Sequence, residues 1–203
     1  MRGFFLFLIQ ALMLGSLAHA GGGPLGIDHR VNVDNSGIWS RSNQNLLRYG
    51  GLIADIGLAV WEGGETRLGR SAWQSIDSVA LAGVAAEAGK RLFGRVRPSE
   101  ASDPGQWFKG GRSFPSGEVA EISGIVTPYV LEYGRDHPSV YALELLPLYD
   151  AIARVKIGAH WQTDVIAGWG LGLASGYLAY RRDNPFVLGV LPHGFNVGLK
   201  ARF

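Results

Sequence analysis

The sequence predicts a single all-α domain, and three observations carry that prediction. Apolar residues recur at spacings of three and four along most of the chain, whereas strict alternation is confined to the stretch after Phe186. There is no cysteine, so a disulfide-built fold is excluded and stability must come from packing. The 203 residues, less a leader, suffice for one proper core, and they show no internal repeat or low-complexity tract.

The elements follow in order. Met1-Arg2, an apolar run from Phe4 to Leu17 and then Ala18-His19-Ala20 describe a secretory signal peptide over residues 1–20. Residues 21–203 are then one exported domain, expected in the periplasm of a Gram-negative bacterium. Gly21 to Asn45 is polar and reads as an extended arm with turns, pinned to the body by Trp39. Asn45 starts a helix in which Leu46, Tyr49, Ile53, Ile56 and Val60 share one face, read as facing the core, with a stop at Gly63-Gly64. A second helix spans about Ser71 to Phe93, where Ala80, Gly83, Ala86 and Gly89 let a neighbour approach closely. Ser99 to Arg112 is a polar loop, and its Trp107-Phe108 pair either covers the domain's own core or grips a leaving group.

A third helix is expected from about Glu118 to Tyr133, with Val119, Ile122, Val126, Tyr129 and Tyr133 on one side and a bend at Pro128. A fourth runs from about Ser139 to Lys156, with Pro147 inside it. The fifth, Thr163 to Tyr180, carries Gly172-x3-Gly176 as a small-residue seam. Its charge-free run from Val165 to Tyr180 is shorter than the roughly 20 residues of a bilayer span, and the other helices contain Asp55, Glu87, Glu121, Glu144 or Asp150. A soluble or surface-associated bundle is therefore expected, with peripheral membrane contact left open. Phe195, Val197, Leu199, Ala201 and Phe203 alternate with polar residues or glycine after a turn at Pro192-His193-Gly194, which predicts a short C-terminal β-hairpin-like tail packed on the bundle.

Three stretches are candidates for chemistry. In Arg154-Val-Lys-Ile-Gly-Ala-His160-Trp-Gln-Thr-Asp164, His160 and Asp164 are four apart. On a helix they share a face, and the carboxylate orients the imidazole and raises its basicity. Arg154 can reach an anion held in front of His160. Lys90-Arg-Leu-Phe-Gly-Arg-Val-Arg97-Pro98 ends a helix in cations, which the helix dipole favours; the dipole alone accounts for Lys90, Arg91 and Arg95. Ser113-Phe-Pro-Ser116-Gly117-Glu118 reads as a turn entering a helix, with Ser116 as N-cap and free N–H groups behind it that suit an oxyanion. Each stretch alone also fits an ordinary capped or terminated helix.

Together and in this order, Lys-x6-Arg-Pro, Pro-Ser-Gly and Arg-x5-His-x3-Asp resemble the type 2 phosphatidic acid phosphatase superfamily, which includes bacterial acid phosphatases, lipid phosphate phosphatases and vanadium haloperoxidases. The resemblance covers Lys90 to Asp164. It implies a helical bundle of that kind in which Lys90, Arg97, Ser116, the Gly117 backbone and Arg154 bind phosphate. His160 would attack phosphorus, forming a phosphohistidine, and Asp164 would support it. No metal and no cofactor are implied, although phosphate or vanadate would fit the cradle. Where the family reads Pro-Ser-Gly-His and uses that histidine to protonate the leaving oxygen, this chain has Glu118. Ala153 stands where a serine usually precedes the arginine.

A glutamate donates a proton only if its pKa is raised in the complex. A bound phosphate dianion acts in that direction, while Lys90 and Arg97 act against it. Three outcomes stay open: an acid-optimum phosphatase with Glu118 as the acid, an enzyme restricted to good leaving groups, or a binder without turnover. The function expected first is hydrolysis of phosphomonoesters or lipid-linked phosphates, and the alternative is a phosphate- or lipid-headgroup-binding protein of the same fold.

Other classes are weaker. Haloperoxidase chemistry is disfavoured by the short chain and the missing histidine. The alternating tail with its terminal Phe203 suggests outer-membrane association or an envelope structural role, but two strands cannot close a barrel. A formal net charge of +2 gives no case for nucleic acid. The five scattered histidines contain no His-x3-His pair for a metal, and no motif specifies an oligomeric state.

Overall fold

In the computed structural model the described residues are 22–182, with the backbone of 189–191 and 194–196. The expected signal peptide and most of the alternating tail lie outside them. The bundle is built around one helix, α4, that exposes none of its residues.

The arm from Gly22 is fastened at several points. Gly22 and Asp28 form a β-bridge, Asp34 N–H donates to the Lys156 carbonyl (2.9 Å), and Trp39 stacks on Tyr149. The first helical stretch begins earlier than the periodicity suggests. Ser40 caps α1 (Arg41–Asn45), which continues through a π-helical turn (Leu46–Gly50) into α2 (Gly51–Glu62).

The apolar stripe of this stretch faces outward, opposite to expectation. Leu46, Tyr49, Ile53, Ile56, Val60 and Trp61 are exposed, while Asp55 and Ala59 are the residues buried on α2. The inward face is set by Ala59 packing with Ala72 and Trp73 and by Asp55 accepting a hydrogen bond from the Tyr129 hydroxyl.

Helix α3 (Arg67–Phe93) starts at Thr66, whose hydroxyl accepts from Gly69 N–H (2.9 Å), and ends at Gly94. Gly94 takes the left-handed conformation (φ 48°), which a glycine adopts without the Cβ penalty. This stop turns the chain so that Arg95 points into the core. The following loop is held by aromatic contacts: Trp107 lies edge-on to Phe93 and Phe114 and under the Arg95 guanidinium (4.4 Å), whereas Phe108 is exposed. Of the two expected roles for these aromatics, Trp107 therefore takes the core-covering one.

Helix α4 (Gly117–Tyr133) contains Pro128, which removes an N–H donor; the adjacent Thr127 hydroxyl donates to the Ser123 carbonyl (2.7 Å). The fourth expected helix is split. A 3-10 segment (Pro138–Glu144) leads into α5 (Leu145–Lys156), and Pro147 falls in the first turn of α5, where a missing N–H costs no intrahelical bond. Helix α6 (Gln162–Tyr180) packs along α4, closing a core of Val119, Ala151, Val165 and Trp169. Two strands, β1 (Gly189–Leu191) and β2 (Gly194–Asn196), pair antiparallel with Val190 opposite Phe195.

Candidate active site

The site gathers where α3 ends, α4 and α6 begin, and the last turn of α5 approaches. His160 precedes α6 instead of lying on it, so the expected shared helical face with Asp164 is not what brings the two together. Asp164 is the third residue of α6, and its carboxylate turns back to accept the Trp161 N–H (2.9 Å) in a capping box. Its Oδ2 is 3.7 Å from His160 Nδ1, beyond hydrogen-bond length.

The Ser113 carbonyl is the direct partner of His160, at 2.7 Å from Nδ1. A carbonyl only accepts, so Nδ1 carries the proton and Nε2 keeps its lone pair. Burial pushes the His160 pKa down to about 4; Asp164 works against that shift, and the Arg154 and Arg97 charges add to it. The ring is therefore neutral at neutral pH, the state a nucleophile requires.

Asp164 is held by more than histidine. Its Oδ2 accepts from the Ser113 hydroxyl (2.5 Å) and its Oδ1 from Arg95 Nη1 (2.6 Å). Burial raises its pKa, but His160, Arg95 and Ser113 together outweigh burial, and the carboxyl lies below its ordinary value. Arg95 is wholly buried and also pairs with Asp28 (2.5 Å), whose carboxylate caps Thr163 N–H (2.8 Å) at the start of α6. One chain of contacts thus runs from the arm through Arg95 and Asp164 to the loop that orients His160.

Of the expected phosphate ligands, Arg154 and Arg97 are near enough to His160 for their charges to act on it. Lys90 lies against Gly117, where a Cβ would come within 2.9 Å of its Nζ, so glycine makes room for the ammonium. Burial lowers the Lys90 pKa, and the Arg112 and Arg97 charges add to that effect against Glu87. Ser116 is the N-cap of α4, but its hydroxyl does not cap: Oγ is buried without a hydrogen-bond partner, and the backbone N–H donates to the Asp164 carbonyl (2.9 Å). Arg154 is 4 % exposed, and burial lowers its pKa to about 10. Its Nη1 donates to Gln44 Oε1 (3.2 Å), while its Nε has no partner. Arg97 is close enough that its charge lowers the pKa values of Lys90, Arg154 and His160. Among the described residues, a cleft of about 370 Å³ opens beside Lys90, lined by Arg91, Leu92, Phe108 and Arg112 among others and not by His160.

Glu118 is placed differently from the expected proton donor. Arg41 from α1 grips it with two hydrogen bonds (2.5 and 2.7 Å), and Arg154 Nη1 stands 3.4 Å away. Burial raises its pKa, yet Arg41, Arg154 and Arg48 more than offset burial, and the net shift is downward. An ionised carboxylate has no proton to give, so the free protein holds Glu118 in the wrong state for a general acid.

Several residues of this arrangement carry no signal in the sequence. Arg41, Gln44 and Asp28 lie in the stretch read as a polar arm, and Thr163 is an unassigned position between His160 and Asp164. Ser113 opens a stretch singled out for Ser116, and Arg95 lies between two expected ligands, which is the only hint of either.

The chain is similar to several known proteins. The model of the PAP2 superfamily matches residues 71–186. A "Lipid A 1-phosphatase" of Porphyromonas gingivalis is 34 % identical over 104 residues, 50 % of this chain and 21 % of that protein. A "Lipid A 1-phosphatase" of Rhizobium etli is 31 % identical over 102 residues, 47 % of this chain and 43 % of that protein. The chain thus matches less than half the length of either relative. The solved structure of Aquifex aeolicus LpxE is similar at a TM-score of 0.46 and 19 % identity, over 74 % of this chain and 99 % of that one. With all three motif stretches inside a match that takes in more than half of its residues, the chain belongs to the PAP2 superfamily.

Proposed function

We propose that this protein hydrolyses phosphomonoesters, lipid-linked phosphates among them, through a phosphohistidine on His160. The observation that carries the proposal is the imidazole with its proton on Nδ1, held by the Ser113 carbonyl and near enough to Arg154 and Arg97 to feel both charges. The Nε2 lone pair attacks phosphorus, and charge developing on the phosphoryl oxygens meets cations already in place. The buried Ser116 hydroxyl and Arg154 Nε have no partners in the protein and suit two of those oxygens. Side-chain cations do the electrostatic work here, so the reaction as proposed uses no metal ion. Water then attacks the adduct and returns the neutral histidine. Relatives named for lipid A 1-phosphate support a lipid-linked substrate, and export to the periplasm fits the apolar N-terminal stretch.

A lipid surface is the neighbour we propose for the outer faces of the bundle. Among the described residues no helix is long and apolar enough to cross a membrane. Yet every exposed position of α2 is uncharged, from Ile53 to Trp61, and the stripe extends through Leu46 and Tyr49 of the π-helical turn, which joins α2 to α1 and so to Arg41 and Gln44.

The test is phosphate release by the purified protein from an aryl phosphate and a glycerolipid phosphate. A base-stable, acid-labile phosphoprotein should appear in rapid-quench samples. Both should vanish in His160→Ala, with kcat/KM falling at least about 10⁴-fold. The ionised Glu118 favours a second reading, a phosphate binder that does not turn over; phosphate or vanadate binding without any His160-dependent release would select it.

A further inference from the structure

We infer that Arg41 is a further substrate-contacting cation of this site, positioned by Glu118 and Gln44, and that the leaving oxygen departs against its guanidinium as an anion. The inference rests on the phosphatase reading above and replaces the proton donor within it.

The placement of Arg41 is specific. It presents Nη1 and Nη2 to the two oxygens of Glu118, a two-pronged pairing that fixes the plane of the guanidinium. Gln44 is wholly buried, and its amide nitrogen donates to the Trp39 carbonyl (2.9 Å), which fixes Oε1 toward the site. That Oε1 accepts from Arg41 Nη1 (3.3 Å) and from Arg154 Nη1 (3.2 Å). Glu118 Oε2 likewise lies 2.5 Å from Arg41 and 3.4 Å from Arg154. Two guanidiniums therefore converge on the same two acceptor atoms, with the Glu118 carboxylate between them and the buried Asp150 carboxyl close enough to act on both. Arg48 gives its closest contact to Glu121 (2.6 Å) and reaches Glu118 only at 3.9 Å.

The contact to Arg41 is tight and that to Arg154 is loose, so an incoming phosphate can take Arg154 while Glu118 keeps Arg41. The Arg41 side chain is 36 % exposed against 5 % for Arg154, which places it on the open side of the pair, where a leaving group exits.

The chemistry follows from the guanidinium. Arginine does not release a proton at working pH, so it stabilises charge without transferring hydrogen. As the Nε2–P bond forms, the P–O bond to the leaving group breaks and the leaving oxygen keeps the electron pair. It departs as an anion beside Arg41 and takes its proton from water after release. Water then attacks phosphorus, the N–P bond pair returns to Nε2, and inorganic phosphate is freed. Without a delivered proton, the rate depends steeply on leaving-group basicity, and the site selects phenolic or phosphate leaving groups over alkyl alcohols.

The experiment is a series of aryl phosphates of graded phenol pKa with an alkyl phosphate at its end, turned over by the full chain, Arg41→Ala, Glu118→Gln and the double variant. For the unmodified protein, log kcat/KM should fall steeply along the series. Arg41→Ala should lower kcat/KM about 10²-fold, through kcat, with the loss growing as the leaving group becomes poorer. Glu118→Gln should move in the same direction by less and add little in the Arg41→Ala background, because it acts through Arg41. Unfolding midpoints of the variants, whose changed side chains lie at the edge of the core, separate loss of fold from loss of rate. A shallow series that turns steep in Glu118→Gln would make Glu118 the proton donor and overturn the assignment. A uniform loss confined to KM in Arg41→Ala would overturn it too. Absence of any His160-dependent release overturns the phosphatase reading and this assignment with it, whereas the other two results leave that reading standing.

Discussion

Arg95 does for the site what no single motif residue does. It ties Asp28, Thr163 and Asp164 together from a fully buried position and lies over the ring of Trp107. Removing one member of a buried charge network strands the others, at a cost of about 3–5 kcal/mol. Arg95→Ala is expected to lose that much in urea unfolding; Arg95→Lys should recover under half of it, since an ammonium cannot fork to two carboxylates. A loss below about 1 kcal/mol would mean that the network does not hold the fold.

A second residue-scale prediction concerns pH. Burial raises the Glu144 pKa to about 7, against the opposing hydrogen bond from Trp169 Nε1 (3.1 Å). A folded pKa above the unfolded value of 4.5 means that stability is fully present below 4.5 and is lost as pH rises through about 7. Glu144→Gln keeps the acceptor and abolishes the titration. It should match the unmodified protein near pH 4.5 and exceed it by about 1–3 kcal/mol above pH 8 in denaturant titrations. Equal stability at both pH values would place the ionised carboxylate in contact with water.

Residues such as His160 and Arg154 were legible because local spacing carries them. The partners of Arg95 and Arg41 were not, since Asp28 lies 67 positions before Arg95 and Glu118 lies 77 after Arg41. Such pairings are decided by how helices dock, and no sequence window contains them.

At the level of elements, α6 meets α4 through a ladder of glycines. A Cβ on Gly168 would lie 2.4 Å from the Ser116 carbonyl, one on Gly172 would lie 2.4 Å from the Ala120 carbonyl, and one on Gly176 would lie 2.4 Å from Thr127 Cβ. The Gly172-x3-Gly176 seam was readable because small residues four apart mark a close helix contact, and the structure extends it by one turn to Gly168. Two of the three obstacles are backbone carbonyls, which cannot swing aside, so the helices must separate if a methyl is added. Gly172→Ala should destabilise by about 2–4 kcal/mol despite the better helix propensity of alanine. Because α6 begins two residues after His160, the same change should lower kcat.

Gly170, on the same helix, has nothing within 4 Å of its would-be Cβ. Gly170→Ala should stabilise by about 0.5–1 kcal/mol, and thermal unfolding of the pair checks both signs at once. Equal effects would mean that propensity, not contact with α4, governs the helix. The apolar stripe of α2 is the element that periodicity misassigned. A spacing of three and four identifies a face but not what covers it. Here Asp55 and Ala59, a short polar residue and a small one, take the inward side.

On the scale of the whole molecule, the most exposed ion pairs among the described residues form two clusters along α3. Arg67 pairs with Glu132 and Asp136 at one end, while Glu87 pairs with Arg91 and Arg112 beside Lys90 at the other. Between them, the exposed positions of three outer helices are uncharged: Ile53 to Trp61 on α2, Ala80, Val84 and Ala88 on α3, and Gly170, Ala174, Tyr177 and Leu178 on α6. These helices lie on more than one side of the central α4, an arrangement that supports the lipid contact proposed above over a protein partner that covers a single face. The inward sides of the same helices carry Asp55, Gln74, Asp77 and Ser175, which lower average hydropathy without reaching the surface. Hydropathy along the sequence therefore understates how apolar the outside is.

Attachment through such faces is hydrophobic and escapes salt screening. The full chain should co-sediment with phosphatidylcholine vesicles equally at about 0.1 M and about 1 M salt. Ile53→Asp combined with Val60→Asp changes exposed positions only, so folding stability should shift by less than about 1 kcal/mol while vesicle retention falls about tenfold or more. Both proteins carry the same N-terminal apolar stretch, so its contribution cancels in the comparison. Retention that disappears at high salt would assign the contact to the basic residues near Lys90, and unchanged retention in the double variant would remove α2 from the lipid contact.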